Sequence, residues 1–474
     1  MTQPTVISID IGSTFTKGAL FSVAPEHPRL LRRAACPTTP DDLKRGLARV
    51  LATLCQLPSD TPLDKIRPPA PVRFCSSAKG GLAIAAIGIV PDLTVQLARL
   101  AAMSAGGKVI KSFAYSLTQT DIAELERAQP DIVLFCGGTD GGNTAYILGN
   151  AARLANSRYH GPIIYAGNRD VAERVTEILR SRPVTVVPNL MPEIGVLNLE
   201  PVREKIREIF LEEIVVGKGL SDIVQRFETG VRPTPLGVYE LMETIPRLRP
   251  EWDNLCAIDL GGATTDFYSN TESFLETDSV LLKGIREPRL KRTVEGDLGL
   301  RVSAPALLES AADYLAVSLK AANLTETDLN AYVARLKENP GHIAATTREK
   351  LLDDIMAEAC VYHAARRHAG LWRETYTPQG RIYIQSGKDL RRVQRIIGSG
   401  GYLAGCTGDG IMRRAFRRLR ETGPEIVLAP ENPAFYADAQ GLFPLLGNLV
   451  SVYPEAAVAL ALESLKPLEE KTPC

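Results

Sequence analysis

The sequence predicts an α/β protein of two similar lobes, the first carrying an additional α/β section, and three observations carry that expectation. Asp10-Ile11-Gly12-Ser13-Thr14-Phe15-Thr16-Lys17 follows the apolar run Val6 to Ile9, so a strand ends there in an acidic residue and a glycine turn. Asp259-Leu260-Gly261-Gly262-Ala263-Thr264-Thr265-Asp266 follows Leu255 to Ile258 in the same way. Between them, strands and helices alternate over about residues 95–190, the rhythm of parallel βαβ units. One such turn could be an ordinary hairpin. A pair, far apart in one chain, suggests two lobes with a phosphate chain clamped between them.

Residues 5–36 read as two or three antiparallel strands around the first turn, and Asp41 to Leu54 has helical spacing with an acidic start. Val72 to Ser76 is a short strand, followed by Ser77-Ala78-Lys79-Gly80-Gly81 and the apolar run Leu82 to Val90. Thr94 to Ser104 and Asp121 to Gln129 read as helices. Asp131 to Cys136 is a buried strand by its continuous apolar run. It ends in Gly137-Gly138-Thr139-Asp140-Gly141-Gly142-Asn143 and a helix follows from Thr144 to Asn156. Pro162 to Ala166 and Val184 to Val187 are further strands, with Gly167-Asn168 and a helix between them. The glycine loop sits at the carboxyl end of a strand, where such sheets bind ligands. The alternative is a turn that needs positive φ values, and the loop alone names no ligand.

Pro192 to Glu213 reads as helical, Gly217-Lys218-Gly219 as a break, and Pro233, Pro235 and Gly237 as a linker. The first lobe is expected over residues 1–254 and the second over 255–474. In the second, Phe267 to Ser269 returns from the turn, and Val294-Glu295-Gly296-Asp297-Leu298-Gly299-Leu300-Arg301 is a charged loop. It suits a structural salt-bridge knot slightly better than a contact to nucleotide and Mg²⁺. Ala306 to Ala369 is mostly helical, with a break at Pro340-Gly341. Ile382 to Gln385 is a strand. Val393 to Ile397 leads to Gly398-Ser399-Gly400-Gly401-Tyr402, where backbone can approach a flat ligand such as adenine and ribose. Gly410 to Leu419 is helical, Gly441 to Gly447 a loop, and Pro454 to Leu465 an Ala-rich helix.

The chemistry of the paired turns is specific. Asp at a strand end can hold a hydrated Mg²⁺, which binds through one or two carboxylates and keeps most of its waters. Ser13, Thr14, Thr264 and Thr265 offer hydroxyl donors, and successive turn N–H groups form an anion-binding nest. Lys17 adds a point charge near the phosphates.

Composition narrows the class. Of 474 residues, 45% are hydrophobic and 23% charged, as in an ordinary globular protein. The formal net charge of +0 gives no basic excess to drive nucleic-acid binding. The basic run Arg413 to Arg420 fits a solvated helix face better than a contact with an acidic partner. No apolar run reaches the length of a membrane helix, and the N-terminus leads directly into a strand rather than a signal peptide. Eight cysteines show no CxxC pair or zinc spacing, which predicts a reducing, cytoplasmic setting without disulfides or an iron–sulfur cluster. His363 and His368 lie five apart, so a metal pair is not expected there.

Asp-x-Gly-Ser-Thr-x-Thr-Lys, then Asp-Leu-Gly-Gly-Ala-Thr-Thr-Asp, then Gly-Ser-Gly-Gly resembles the actin, sugar-kinase and heat-shock-70 superfamily of two-lobed ATPases, which have a ribonuclease H-like fold. The resemblance implies ATP and Mg²⁺ as ligands. It implies that Asp10 and Asp259 organise the metal and its waters, and that Asp266 supports the second hairpin. Asp259 or Asp266 would orient the attacking water. Gly12, Ser13, Thr14, Thr16, Gly261, Gly262, Ala263, Thr264 and Thr265 would form the phosphate turns, with Lys17 near the β- or γ-phosphate. Gly398, Ser399, Gly400 and Gly401 would line adenosine.

A closer resemblance covers nearly the whole chain. Ser77 to Leu82, Cys136 to Asn143, Met191-Pro192-Glu193-Ile194-Gly195-Val196-Leu197-Asn198 and Glu295 to Gly299 are similar to segments of the glutamate mutase accessory MutL family, which is unrelated to the mismatch-repair protein of that name. Members are encoded beside adenosylcobalamin-dependent mutases or aminomutases. The implied role is an ATP-driven reactivating factor that exchanges damaged cobalamin, with mutase subunits as partners and neither nucleic acid nor membrane. A homodimer stays open. The alternative is a small-molecule, sugar-kinase-like phosphotransferase, in which a substrate hydroxyl replaces water. Only two tryptophans, Trp252 and Trp372, are present as stacking platforms for a sugar, which weakens it. A scaffold that holds nucleotide without turnover is disfavoured by the intact acidic residues of both hairpins.

Overall fold

A computed structural model describes residues 4–39, 42–77, 82–212, 221–227, 229–273, 279–378, 380–420 and 425–469. Asp41, Ala78 to Gly81, Glu213 and the Gly217-Lys218-Gly219 break, all singled out in the sequence, lie outside the described residues. The chain forms two compact units, with Gly81–Gly217 inserted into the unit made by Met1–Gly80 and Lys218–Cys474.

The larger unit holds two sheets of the same design. The first contains β1 (Thr5–Ile11), β2 (Phe15–Ser22), β3 (Arg29–Pro37), β4 (Val72–Ser76) and β10 (Val231–Pro233), in the order β3-β2-β1-β4-β10. The first three strands form an antiparallel meander, while β4 runs parallel to β1 and β10 parallel to β4. The second contains β11 (Leu255–Leu260), β12 (Thr265–Asn270), β14 (Leu290–Glu295), β17 (Arg395–Ser399), β19 (Ala434–Asp438) and β20 (Leu465–Pro467), in the order β14-β12-β11-β17-β19-β20. Again a meander of three is followed by two parallel strands, and β20 is added antiparallel at the edge. This duplicated order is the two-lobed, ribonuclease H-like architecture. The central strands β1 and β11 are covered on both faces, and so read as near-continuous apolar runs in the sequence, broken before the aspartate only by the buried Ser8.

The helices Thr234–Leu248 and Phe443–Gly447 follow the equivalent strands β10 and β19 and pack on each other. Their crossing is set by two glycines: a methyl group added at Gly447 would stand 2.5 Å from the Gly237 carbonyl carbon and oxygen. One apolar core runs from β1 and β2 (Val6, Ala19, Phe21) through these helices to β11 and β12 (Leu255, Ala257, Tyr268). A second packs the other face of the second sheet against the helices between Ala304 and His368. A small appended sheet, β13 (Val280–Lys283), β15 (Leu371–Thr377), β16 (Gly380–Ser386) and β18 (Ile426–Val427), has the order β13-β16-β15-β18.

The inserted unit is a parallel sheet of β5 (Ala83–Ile87), β6 (Lys108–Phe113), β7 (Ile132–Phe135), β8 (Ile163–Tyr165) and β9 (Val184–Val186), in the order β6-β5-β7-β8-β9. Counted within the unit this is 2-1-3-4-5, the doubly wound flavodoxin-like order.

Several local expectations are corrected. The stretch read as a linker at Pro233 to Gly237 opens a fifteen-residue helix. Pro235 stands in its first turn, where the missing N–H costs nothing, and Gly237 serves the helix crossing. Gly441 to Gly447, read as a loop, ends in the short helix that completes that crossing. The helix expected from Pro192 begins only at Glu200, because Gly195 takes φ +86. Val294 and Glu295 end a strand rather than lying in a loop.

Candidate nucleotide-binding site

The two glycine turns face each other. A methyl group at Gly262 would stand 3.1 Å from Thr14 Oγ1. Each turn is tight: Gly12 N–H donates to the Phe15 carbonyl (3.1 Å) and Gly261 N–H to the Thr264 carbonyl (2.9 Å). In both, the glycine hydrogen leaves room for that carbonyl, which a side chain would meet at 2.6 Å for Gly12 and 3.1 Å for Gly261. Ser13 is exposed at the first turn and Thr14 half-buried.

Asp10 and Asp259 lie at matching points of the two sheets. Across its hairpin Asp10 pairs with Lys17, and Asp259 with Asp266. Asp10 accepts from Thr234 Oγ1 at 2.6 Å and from Cys75 Sγ at 3.6 Å. Burial pushes its carboxyl above the usual range, against the pull of Lys17. Asp259 is pushed up to about 7, by burial first, then by Asp266, with Asp10 and Asp438 adding and Lys17 opposing. Asp438, at the end of β19, accepts from the Leu442 and Phe443 N–H groups (2.8 and 3.0 Å) and from Ser399 Oγ (3.0 Å). Burial raises its carboxyl as well. Two buried carboxylates and the half-buried Asp259 thus crowd around one shared cation, Lys17, and a divalent cation would relieve their repulsion.

Among the described residues no three His, Cys, Asp or Glu side chains converge closely enough to hold an ion by themselves. The set fits a hydrated Mg²⁺, which takes one or two carboxylates and completes its shell with water and phosphate oxygens.

Asp266 is held differently. Arg292 Nε donates to its Oδ1 at 2.8 Å and Thr264 Oγ1 to its Oδ2 at 3.2 Å, with the guanidinium itself buried. Two threonines of the turns look inward to the fold. Thr16 Oγ1 lies 3.1 Å from Thr38 Oγ1, and Thr265 Oγ1 donates to the Leu298 carbonyl at 2.7 Å.

The second turn rests on the loop after β14. Arg301 N–H donates to the Gly262 carbonyl (2.9 Å), and Ser303 Oγ to the Ala263 carbonyl (2.6 Å). A methyl group at Gly299 would strike the Ala263 backbone at 2.7 Å. The carboxylates of this loop pair with a distant arginine: Arg367 binds Glu295 at 2.7 Å and Asp297 at 2.8 Å through both oxygens. Arg301 instead grips Asp353 at 2.9 and 2.8 Å. The loop is a salt-bridge knot under the turn, with partners the sequence spacing does not suggest.

Gly398 and Ser399 lie on β17, in parallel register with Ile258 and Asp259. Gly400 has φ +86, and a methyl group there would overlap the Leu260 carbonyl and stand 2.8 Å from Asp259 Oδ1. Gly401 faces open space. Elsewhere, His368 is buried between Ser269 Oγ (2.7 Å) and Thr293 Oγ1 (2.8 Å). The basic run is largely engaged, with Arg413 on Asp409, Arg414 on Glu358, and Arg418 over the Tyr314 ring at 3.8 Å. Asp438, Thr234 and Arg292 were not singled out in the sequence. For Asp438 the signal was present, since it too ends an apolar strand just before a glycine-containing turn.

The MutL protein family matches residues 6–465. Protein MutL of Clostridium tetanomorphum is 35% identical over 459 residues, covering 95% of this chain and 97% of that protein. Among solved structures, a nucleotide-free diol dehydratase-reactivating factor is 10% identical, with 95% of this chain and 100% of that chain covered at a TM-score of 0.35. Gluconate kinase from Lactobacillus acidophilus is also 10% identical, with 98% and 94% covered at a TM-score of 0.35. The fold assignment rests on the duplicated strand order and not on these low scores. On the family match and the full-length identity, the chain belongs to the MutL protein family.

Proposed function

We propose that the chain binds Mg²⁺-ATP between the two glycine turns and hydrolyses it, as an accessory factor that reactivates an adenosylcobalamin-dependent mutase. The observation that carries the nucleotide part is the pairing of Asp10 and Asp259 on two sheets that share the same order of five strands, with the turns after them in contact. Family membership supports the mutase as partner.

In this reading Asp10 and Asp259 would hold a hydrated Mg²⁺. Ser13, Thr14, Thr264 and the turn N–H groups bind phosphate oxygens, and Lys17 offsets their charge. The Gly398 to Gly401 segment lies beneath adenosine. Mg²⁺ would supply charge neutralisation along the phosphate chain. Water attacks the γ-phosphorus, the bond to the bridging oxygen breaks, and ADP and inorganic phosphate leave. Such transfer needs mostly positioning and charge stabilisation. Asp259 is the better group to orient that water, because Asp266 is already committed to Arg292. Thr16 and Thr265 shape the turns rather than offering free hydroxyls. The test is Mg²⁺-dependent phosphate release from ATP by the purified protein: turnover lost in D259N supports the reading, and turnover retained in both D10A and D259N overturns the site.

A further inference from the structure

The inserted unit has features that ATP hydrolysis does not use. Doubly wound sheets bind ligands outside the carboxyl ends of their strands, at the point where strand order reverses. Here that point lies between β5 and β7, so the loops Gly88–Val90 and Gly137–Asn143 flank it. Gly137 and Gly138 take φ +133 and +69. The second loop is fixed from below: Asn189 Nδ2 donates to the Gly138 carbonyl (3.0 Å) and to Asp140 (2.8 Å), and Arg169 N–H donates to Asp140 (3.0 Å).

A second, independent observation concerns apolar exposure. Apart from Leu211, and Val186 on the edge strand β9, the exposed large hydrophobics among the described residues of this unit lie at the carboxyl edge of the sheet. Val90 follows β5, Tyr115 follows β6, Tyr146 follows the glycine loop, and Ile194 and Val196 follow β9. Ile194 is 82% exposed and Tyr115 58%. Tyr115 is also held at φ +62, a conformation unfavourable to a side chain of its size. The buried Asn150 clamps it there, donating to the Tyr115 carbonyl and accepting from Leu117 N–H, both at 2.8 Å. A strained aromatic kept exposed by a buried amide is a feature of ligand clamps.

Charge selects the ligand class. Asp140, Asp170 and Glu193 stand on these loops, and Arg169 is engaged with Asp140 and Asp170 at 3.8 and 3.7 Å. A phosphate-rich ligand would meet an acidic rim. A broad planar ligand with apolar faces and neutral amide groups around its edge would place its face on the apolar residues and its amides on the loop acceptors. We propose that the carboxyl edge of the inserted unit is a corrinoid-binding site, which rests on the mutase reading above and deepens it to direct handling of the cofactor by this chain.

The test uses the full chain and hydroxocobalamin. Visible absorbance titration should show saturable binding at one site, weakened at least tenfold in Tyr115→Gly and in Ile194→Ser. Glycine accepts φ +62, so the first variant removes the ring without adding strain. If either variant fails to fold by circular dichroism, hydrogen exchange on the unaltered protein decides: hydroxocobalamin should protect residues 88–90 and 137–143. No binding, binding unchanged in folded variants, protection elsewhere, or preference for FMN over hydroxocobalamin would each overturn the inference. ATP-dependent rescue of an inactivated mutase is measured separately. Rescue without corrinoid binding removes this site and keeps the function, whereas binding without rescue does the reverse.

Discussion

Asp10 and Asp259 occupy the same place in two sheets that share the same order of five strands, each one residue before the end of its strand, and each pushed by burial above its ordinary pKa. The residue across the hairpin differs: Lys17 faces Asp10 and Asp266 faces Asp259. The duplicated scaffold thus places one cation, Lys17, among several carboxylates in one centre.

D10A and D259N should each lower Mg²⁺-dependent ATP hydrolysis by roughly 100-fold or more, the scale seen when one preorganised electrostatic group is removed from an active site. Phosphate release under saturating ATP measures this, with circular dichroism to confirm folding.

Asp259 should cost the metal-free protein stability, because a carboxylate is buried there among others. The neutral isostere in D259N should therefore raise the melting temperature at pH 8 in the presence of a chelator, while losing activity. A lower melting temperature would show that Asp259 is a net structural contact.

R367A should destabilise the loop under the second turn in a pH-dependent way. Burial opposes ionisation of Asp297, but hydrogen bonds from Arg367 and Ser310 prevail and hold it at about 2, below its ordinary 3.8. A depressed carboxyl pKa contributes stability above the unfolded value and loses it as pH falls through the folded one. The gap between wild type and R367A should be full at pH 6 and shrink between about pH 4 and pH 2 in thermal melts.

G447V should force apart the helices that join the two sheets, because even a methyl group would stand 2.5 Å from the Gly237 backbone. Overpacking of this kind costs about 1–3 kcal/mol, read as a lower urea midpoint for the larger unit. G401A, where the added methyl faces open space, is the control and should leave that midpoint in place.

Much of this was legible in the sequence because strand-end aspartates and glycine turns leave local signatures. The apolar runs before Asp10 and Asp259 mark central strands, and positive-φ or close-contact glycines cannot be replaced cheaply. What escaped depends on distant partners. Arg367 joins Glu295 and Asp297 across some seventy residues of chain, and Arg292 reaches Asp266 from the neighbouring strand. Gly237 and Gly447 read as loop residues because a helix crossing made by glycines looks like a linker. β13 and the hairpin of β15 and β16 were missed or shortened because their half-exposed strands lack an unbroken apolar run.

The most direct measurement is phosphate release from Mg²⁺-ATP by the protein alone, then with an inactivated adenosylcobalamin-dependent mutase and fresh coenzyme. The account predicts release that rises with the mutase, together with recovered mutase activity, and neither effect in D259N. Turnover that ignores the mutase and rises instead with a small hydroxylated metabolite would contradict it.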